Sequence, residues 1–290
     1  MKAGEKPMKI LVTGATGQLG SDVCAALRAR EMEHRGVGSA ALDITDAGAV
    51  QQYMNVFRPD AVIHCAAWTA VDGAEEHPEE ARRVNVDGTR NLAAACRAVG
   101  ARMLYVSTDY VFPGTGTEFY RPDALTGPLN VYGRTKLEGE NAVRALLEHY
   151  FIVRTSWVFG VHGANFVKTM LRLGETHESL RVVCDQMGSP TYTADLAPLL
   201  YDMVMTENYG VYHATNEGIC SWAEFAKEIF RFSGMNVTVN PVSSSEYPSR
   251  AARPLNSRLS KDKLEQAGFY RLPDWRDALG RCLKEIRETA

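Results

Sequence analysis

The chain has 290 residues, 45% of them hydrophobic, and a formal net charge of −3, which suits one large domain or two smaller ones. Acids and bases are interspersed, which excludes a basic face for nucleic acid, and the hydrophobic runs are strand-sized, far short of the ~20 residues that cross a bilayer. The opening segment, residues 1–7, is polar, lacks the apolar core of a secretory signal and reads as a frayed tail, with Met8 as a candidate natural start.

The first element is a short apolar strand, Lys9–Thr13, which runs into Gly14-Ala15-Thr16-Gly17-Gln18-Leu19-Gly20 and then a helical pattern carrying Val23 and Leu27. The glycines are spaced three and three, looser than G-x-G-x-x-G, but the physical requirements are similar. Gly14 permits a tight turn, Gly17 lets backbone approach a pyrophosphate, and Gly20 lets helix and sheet pack closely. The helix start adds free N–H groups and a positive dipole end, which favour phosphate.

A weak second strand over Arg35–Ala40 follows, then a helix over Ala47–Phe57 and the strong strand Ala61–Ala66. Pro78–Val99 reads as one long helix with Ala81, Val84, Leu92, Ala95 and Cys96 on its apolar face, and Arg102–Ser107 as a strand. A loop rich in proline and glycine, 113–128, leads into a helix carrying Tyr132, and Phe151–Val158 is another apolar strand. Such alternation predicts a doubly wound parallel α/β sheet, Rossmann-like, as an NAD(P)-binding domain over residues 8–158.

Beyond it the rhythm loosens. Helices are expected over Asn165–Leu173 and Ala194–Met205, strands over Leu180–Cys184 and Gly210–Ala214, and a loop over Asp185–Tyr192. Ser221 and Glu224 have capping-box spacing for a helix through Ser233 ending at Gly234, and Ala278, Leu279, Cys282, Leu283 and Ile286 form the buried stripe of a last helix over Asp274–Glu288. Residues 159–290 are expected to form a smaller, mainly substrate-binding α/β domain, with segments free to return to the Rossmann sheet.

The six cysteines include no C-x-x-C pair, which reads as reduced, buried thiols in a cytoplasm. The seven histidines show no ligand spacing, so no protein-built metal site is expected. In open α/β sheets the ligand lies outside the carboxyl ends of the strands. Those ends carry Ala67, Trp68 and Thr69 after the third strand, Thr108, Asp109 and Tyr110 after the fourth, and Thr155, Ser156 and Trp157 after the fifth.

Tyr132 and Lys136 stand four apart in NVYGRTKLEGE, so a helix stacks them on one face. A cation beside a phenol favours the phenolate and should draw the tyrosine pKa down toward working pH. A phosphate-binding turn together with this pair suits hydride transfer from a nicotinamide. Tyr132 then protonates a carbonyl oxygen, Lys136 tunes the phenol and holds the ribose, and the Thr108 hydroxyl bonds the same oxygen.

GATGQLG, CAAWTAVD, VSTDYVFPG, PLNVYGRTKLEGE, RTSWVFG, DQMGSPT and ARPLNSRLS, in order from Lys9 to about Leu259, together resemble the dTDP-4-dehydrorhamnose reductase family of extended short-chain dehydrogenases/reductases. The resemblance implies NAD(P)H-dependent reduction of the 4-keto group of dTDP-4-dehydro-L-rhamnose to dTDP-L-rhamnose. It places Gly17, Gln18 and Leu19 at the cofactor pyrophosphate, Asp43 and Ile44 at its adenine end, and Ala67, Trp68 and Thr69 along it. Tyr132 and Lys136 fall at the nicotinamide, and Thr108, Asp109 and Trp157 at the sugar. Asp43 could instead cap the following helix, and Trp157 could be a core residue. Arg253 is a candidate clamp for the nucleotide diphosphate.

The second strand ends in Gly38 and Ser39 without an acid to repel a 2′-phosphate, and Arg35 lies nearby; NADPH is the expected cofactor, with NADH also usable. A related dehydratase would need a carboxylate directly after Thr-Asp, where this chain has Tyr110. Another sugar-nucleotide reductase or an epimerase stays open, as does a non-catalytic regulator resembling the β subunit of methionine adenosyltransferase. The expected partner is a small nucleotide-sugar substrate, with no nucleic acid or membrane, and a homodimer is the assembly considered.

Overall fold

In the computed structural model, which describes residues 8–247 and 249–289, apolar runs form the strands of one parallel sheet. Strand β1 (Ile10–Thr13) is buried along its whole length and leads through the glycine turn to helix α1 (Gln18–Ala29). Then come β2 (His34–Val37), α2 (Ala47–Phe57), β3 (Ala61–His64), the short helices α3 (Val71–Glu76) and α4 (Pro78–Arg82), α5 (Thr89–Val99), β4 (Arg102–Thr108), α6 (Val131–Leu146) and β5 (Tyr150–Thr155). The sixth strand, Gly210–His213, lies beyond β5, and the order across the sheet is Gly210–His213, β5, β4, β3, β1, β2. Every pairing is parallel.

The order reverses at β1, with β2 on one side and β3 on the other, which opens a crevice at the carboxyl ends of β1 and β3 where such sheets take ligands. The two-residue period of the strands sends Ile10, Val12 and Ile63 to one face, against Val23 and Leu27 of α1, and Leu11 and Val62 to the other, against α2 and α5. The first face is also covered by Leu196, Leu199, Leu200 and Met203 of the helix Thr193–Val204, so the second half of the chain does return to the sheet. Its remainder has a separate core around Phe159, Phe225, Trp275 and Leu279. The opening segment expected to fray lies outside the described residues. Among those described, no helix is long and apolar enough to cross a membrane.

Several elements differ from expectation. The helix expected over Pro78–Val99 runs its full length but widens into a π-helical turn over Arg83–Gly88. The second strand is shorter than expected. The strand expected over Phe151–Val158 stops at Thr155, because Trp157 adopts a left-handed φ of +50°. The strand Thr238–Val242, to which no element was assigned above, runs parallel to Ser179–Val183. The capping box at Ser221 is present, with Glu224 bonding back to the Ser221 N–H at 2.7 Å. Of the thiols expected to be buried, Cys184 is exposed and Cys65 only partly covered.

Candidate functional site

The glycine turn presses against the end of β3. Gly14 has a φ of +69°, and a Cβ there would fall 2.6 Å from the Ala66 nitrogen; one on Gly20 would fall 2.1 Å from the Gly14 carbonyl oxygen. No other residue fits either place. Helix α1 opens at Gln18 behind Gly17 with no side-chain cap, which leaves its first N–H groups for an anion. The Gln18 amide oxygen accepts from Asn165 Nδ2 at 2.9 Å and the Leu19 side chain is buried in the core. Of these two expected cofactor contacts, Leu19 therefore offers only its backbone, while Gln18 offers its backbone and its amide nitrogen.

At the end of β3, the segment Ala67-Trp68-Thr69 is held at Trp68 by a residue that carried no sequence assignment. Asn85, on the π-helical turn, accepts from the Trp68 N–H at 2.8 Å and donates to the Trp68 carbonyl at 3.1 Å. It also donates to Thr135 Oγ1 at 3.0 Å, and that hydroxyl donates to the Tyr132 carbonyl at 2.9 Å. Asn85 thus ties the segment after β3 to the helix that bears the tyrosine. Its signal in sequence was an asparagine and a glycine, both poor helix formers, inside a strong helical pattern.

Asn130 caps α6 by accepting from the Gly133 N–H at 2.8 Å, and the helix brings Tyr132 and Lys136 to the end of β4. Tyr132 is partly buried in a small apolar cluster with Trp68, Ala74, Ala81 and Val131. Its ring meets that of Tyr110 edge-on at 5.5 Å. Lys136 is 2% exposed; its Nζ donates to the Val106 carbonyl at 2.8 Å and lies over the Tyr105 ring at 4.1 Å.

The electrostatics differ from the expectation of a lowered tyrosine. Burial pushes the Tyr132 phenol above its ordinary value, against a downward pull from the Thr108 hydroxyl. Burial also draws Lys136 down to about 7, opposed by Glu140 and Cys65. Desolvation disfavours either charge, and the ammonium is directed to a carbonyl oxygen of β4.

Beside Thr108 lies Asp109, 2% exposed, whose carboxylate accepts from Ser257 Oγ at 2.5 Å and Thr108 Oγ1 at 3.0 Å. Burial outweighs these bonds and raises the group from 3.8 to about 6. Between those values the native carboxyl keeps a proton that the unfolded chain has released. Its contribution to stability is therefore lost as pH rises from about 4 through about 6, by about 3 kcal/mol at most. Asp109→Asn is expected to flatten this part of the stability profile, which denaturant midpoints measured across that window would check.

Arg253 reaches the same region but is already engaged. Its guanidinium forms a fork with Asp72, at 2.6 Å and 3.2 Å, and that pairing is the main force holding the Asp72 carboxyl below its ordinary range. Asp43 does not cap a helix: it accepts from Thr45 N–H and Oγ1 at 2.9 and 2.8 Å, while the cap of α2 is Asp46. Ile44 is buried, and a Cβ on Gly88 would fall 2.7 Å from its Cγ1. The Arg35 guanidinium lies over the Phe57 ring at 4.8 Å, occupied by α2. Trp157 stacks on Trp222 with 3.7 Å between ring centroids and packs on the edge of the third core. A Cβ on Gly188 would fall 2.8 Å from its indole.

A parallel sheet that reverses at a glycine turn, with a Tyr-x-x-x-Lys helix beside the next strand ends, is Rossmann-like and of the short-chain dehydrogenase/reductase kind. Within that class, the family described as RmlD substrate binding domain matches residues 8–288, and this chain belongs to it. It is 46% identical over 276 residues to the dTDP-4-dehydrorhamnose reductase of Streptomyces griseus, covering 93% of this chain and 91% of that one. It is 42% identical over 277 residues to the spore coat polysaccharide biosynthesis protein SpsK of Bacillus subtilis, covering 96% and 97%. The solved dTDP-4-dehydrorhamnose reductase of Bacillus anthracis, in complex with NADP, superimposes with a TM-score of 0.94 at 45% identity, over 97% of this chain and 100% of that chain.

Proposed function

We propose that the chain reduces the 4-keto group of dTDP-4-dehydro-L-rhamnose to dTDP-L-rhamnose with NADPH, NADH being a second usable donor. The observation that carries this reading is the Tyr132 phenol beside the Thr108 hydroxyl, which bonds Asp109 at the end of β4, with Lys136 one turn further along the same helix. Residues 8–158 are taken as the cofactor-binding part and 159–290 as mainly the substrate-binding part. The names and the NADP complex of the relatives support the choice of sugar and cofactor, and the absence of an acid at Gly38 and Ser39 agrees with a 2′-phosphate.

The residues present fit a dinucleotide: Gly14 and Gly20 leave no room for a side chain where the turn must hug the sheet, and α1 offers uncapped N–H groups. The reduced nicotinamide, when bound, supplies the hydride. The phenol of Tyr132 carries its proton at neutral pH, as an unperturbed tyrosine does, and is the group placed to give it to the developing alkoxide; its burial works against that release. Once the proton has gone, Lys136, one helical turn along, is the cation that offsets the phenolate. Thr108 bonds the same oxygen, Asp109 and Trp157 border the sugar, and Arg253 takes the diphosphate by exchanging Asp72 for it. The six unpaired cysteines suit a cytoplasmic enzyme.

Arg253→Ala is expected to raise the sugar-nucleotide KM about tenfold, the worth of one charged hydrogen bond, with a smaller change in kcat. Steady-state kinetics check it. A panel of 4-keto-sugar nucleotides, followed by loss of reduced-nicotinamide absorbance with NADPH and with NADH, tests the function itself. A product of unchanged oxidation level would make the chain an epimerase. No turnover of any panel member would sink the reductase reading.

A further inference from the structure

Tyr132, Lys136 and Glu140 follow one another along α6 at four-residue intervals, and Glu140 does not figure in the chemistry above. It is 0% exposed, and its carboxylate accepts four bonds: from Ser107 Oγ at 2.6 Å, Arg144 Nη2 at 2.7 Å, and Arg154 Nε and Nη2, both at 2.8 Å. Arg154, on β5, is 2% exposed. Its remaining nitrogen, Nη1, donates to the Pro122 carbonyl at 3.0 Å, and its guanidinium lies over the Phe112 ring at 4.9 Å.

Phe112 and Pro122 belong to the irregular stretch 112–129 between β4 and α6. That stretch clasps the C-terminal segment around Arg253. The Asn256 N–H donates to the Gly114 carbonyl at 2.9 Å, Asn256 Nδ2 to the Glu118 carbonyl at 2.8 Å, and the Tyr120 N–H to the Arg258 carbonyl at 2.8 Å. The same segment supplies Ser257 to Asp109. A buried ion pair adds little stability over apolar residues of equal volume. Geometry is what this one offers, because a planar guanidinium serves a carboxylate with two nitrogens and a carbonyl with the third, which an ammonium cannot do.

We propose that Glu140 and Arg154 are positioning residues: the pair locks the stretch 112–129, and through it the Arg253–Ser257 segment, in register with the Tyr132 face of α6, so that a bound sugar nucleotide is presented to the phenol. The proposal rests on the reductase reading for its substrate, and not for the anchoring itself.

Arg154→Lys keeps a cation beside Glu140 and gives up the bond to Pro122. The expected result is a KM for the keto-sugar nucleotide raised about tenfold, as for one charged hydrogen bond, with kcat nearly unchanged and the same NADPH Kd. Amide hydrogen exchange over 114–126 should speed up while β5 stays protected. If Arg154→Lys does not fold, the double variant Glu140→Leu with Arg154→Met, which removes both buried charges at similar volume, is expected to give the same split. A folded variant with unchanged KM and unchanged exchange in 114–126 overturns the proposal. So does a parallel loss of kcat, NADPH affinity and Tm, which would make the pair a support of the fold alone. Absence of turnover in the unaltered protein would refute the reductase reading instead, and the exchange measurement would still judge the anchor.

Discussion

Tyr132→Phe is expected to lower kcat by about 10²–10⁴-fold, the usual contribution of a positioned proton donor, while NADPH Kd and Tm stay close to those of the unaltered protein. The split follows from what each atom of the side chain touches. The ring packs with Trp68, Ala74, Ala81 and Val131 and meets Tyr110 edge-on at 5.5 Å, contacts that phenylalanine keeps. The hydroxyl, whose neighbour is Thr108, is the only part lost, and it is the part that can release a proton to a carbonyl oxygen. Single-turnover decay of NADPH absorbance, with cofactor affinity measured separately, checks the claim. Turnover within about threefold of the unaltered enzyme would deny Tyr132 the role of acid, since no general acid contributes so little.

The largest effect on stability is expected at Gly20. A Cβ there would sit 2.1 Å from the Gly14 carbonyl oxygen, a backbone atom that no side-chain rotation can clear. Gly14 cannot retreat, because it is itself pressed against Ala66 at the end of β3. Helix α1 would have to shift instead, and that pulls Val23 and Leu27 from the core. Gly20→Ala is therefore expected to cost about 3 kcal/mol or more, the upper range for forcing atoms into a packed interior, and to weaken NADPH binding. Gly17→Ala is the control: its φ is −85° and the nearest atom would be 3.3 Å away. It should fold nearly as well and yet bind NADPH less tightly. Equal Tm for Gly20→Ala and the unaltered chain would contradict the packing argument.

Much of the site was legible in residues 9–20 and 130–136 because its physical requirements are local. A turn with no room for Cβ needs glycine, and two side chains on one helical face need a spacing of four. The positions that could not be read are those whose partners are distant in sequence. Arg253 was a candidate phosphate clamp or an ordinary solvated arginine; its ion pair with Asp72 spans 181 positions, and no local pattern reports that. Asp43 and Asp46 both precede α2 and either could cap it; only the backbone path gives the cap to Asp46. Asn85 and Glu140 lay inside helices where a polar residue ordinarily means a solvated face, whereas Asn85 is 1% exposed and Glu140 0%.

Sequence by itself determined the alternation of strand and helix, the glycine turn and the spacing of Tyr132 and Lys136 one turn apart on a single helix, since periodicity and backbone sterics act over a few residues. Tertiary structure alone decided the return of Gly210–His213 to the sheet, the direction in which each buried charge points, and the balance of desolvation against neighbouring charge at Tyr132 and Lys136. Those depend on which atoms are excluded from water together, and that is a property of the packed chain.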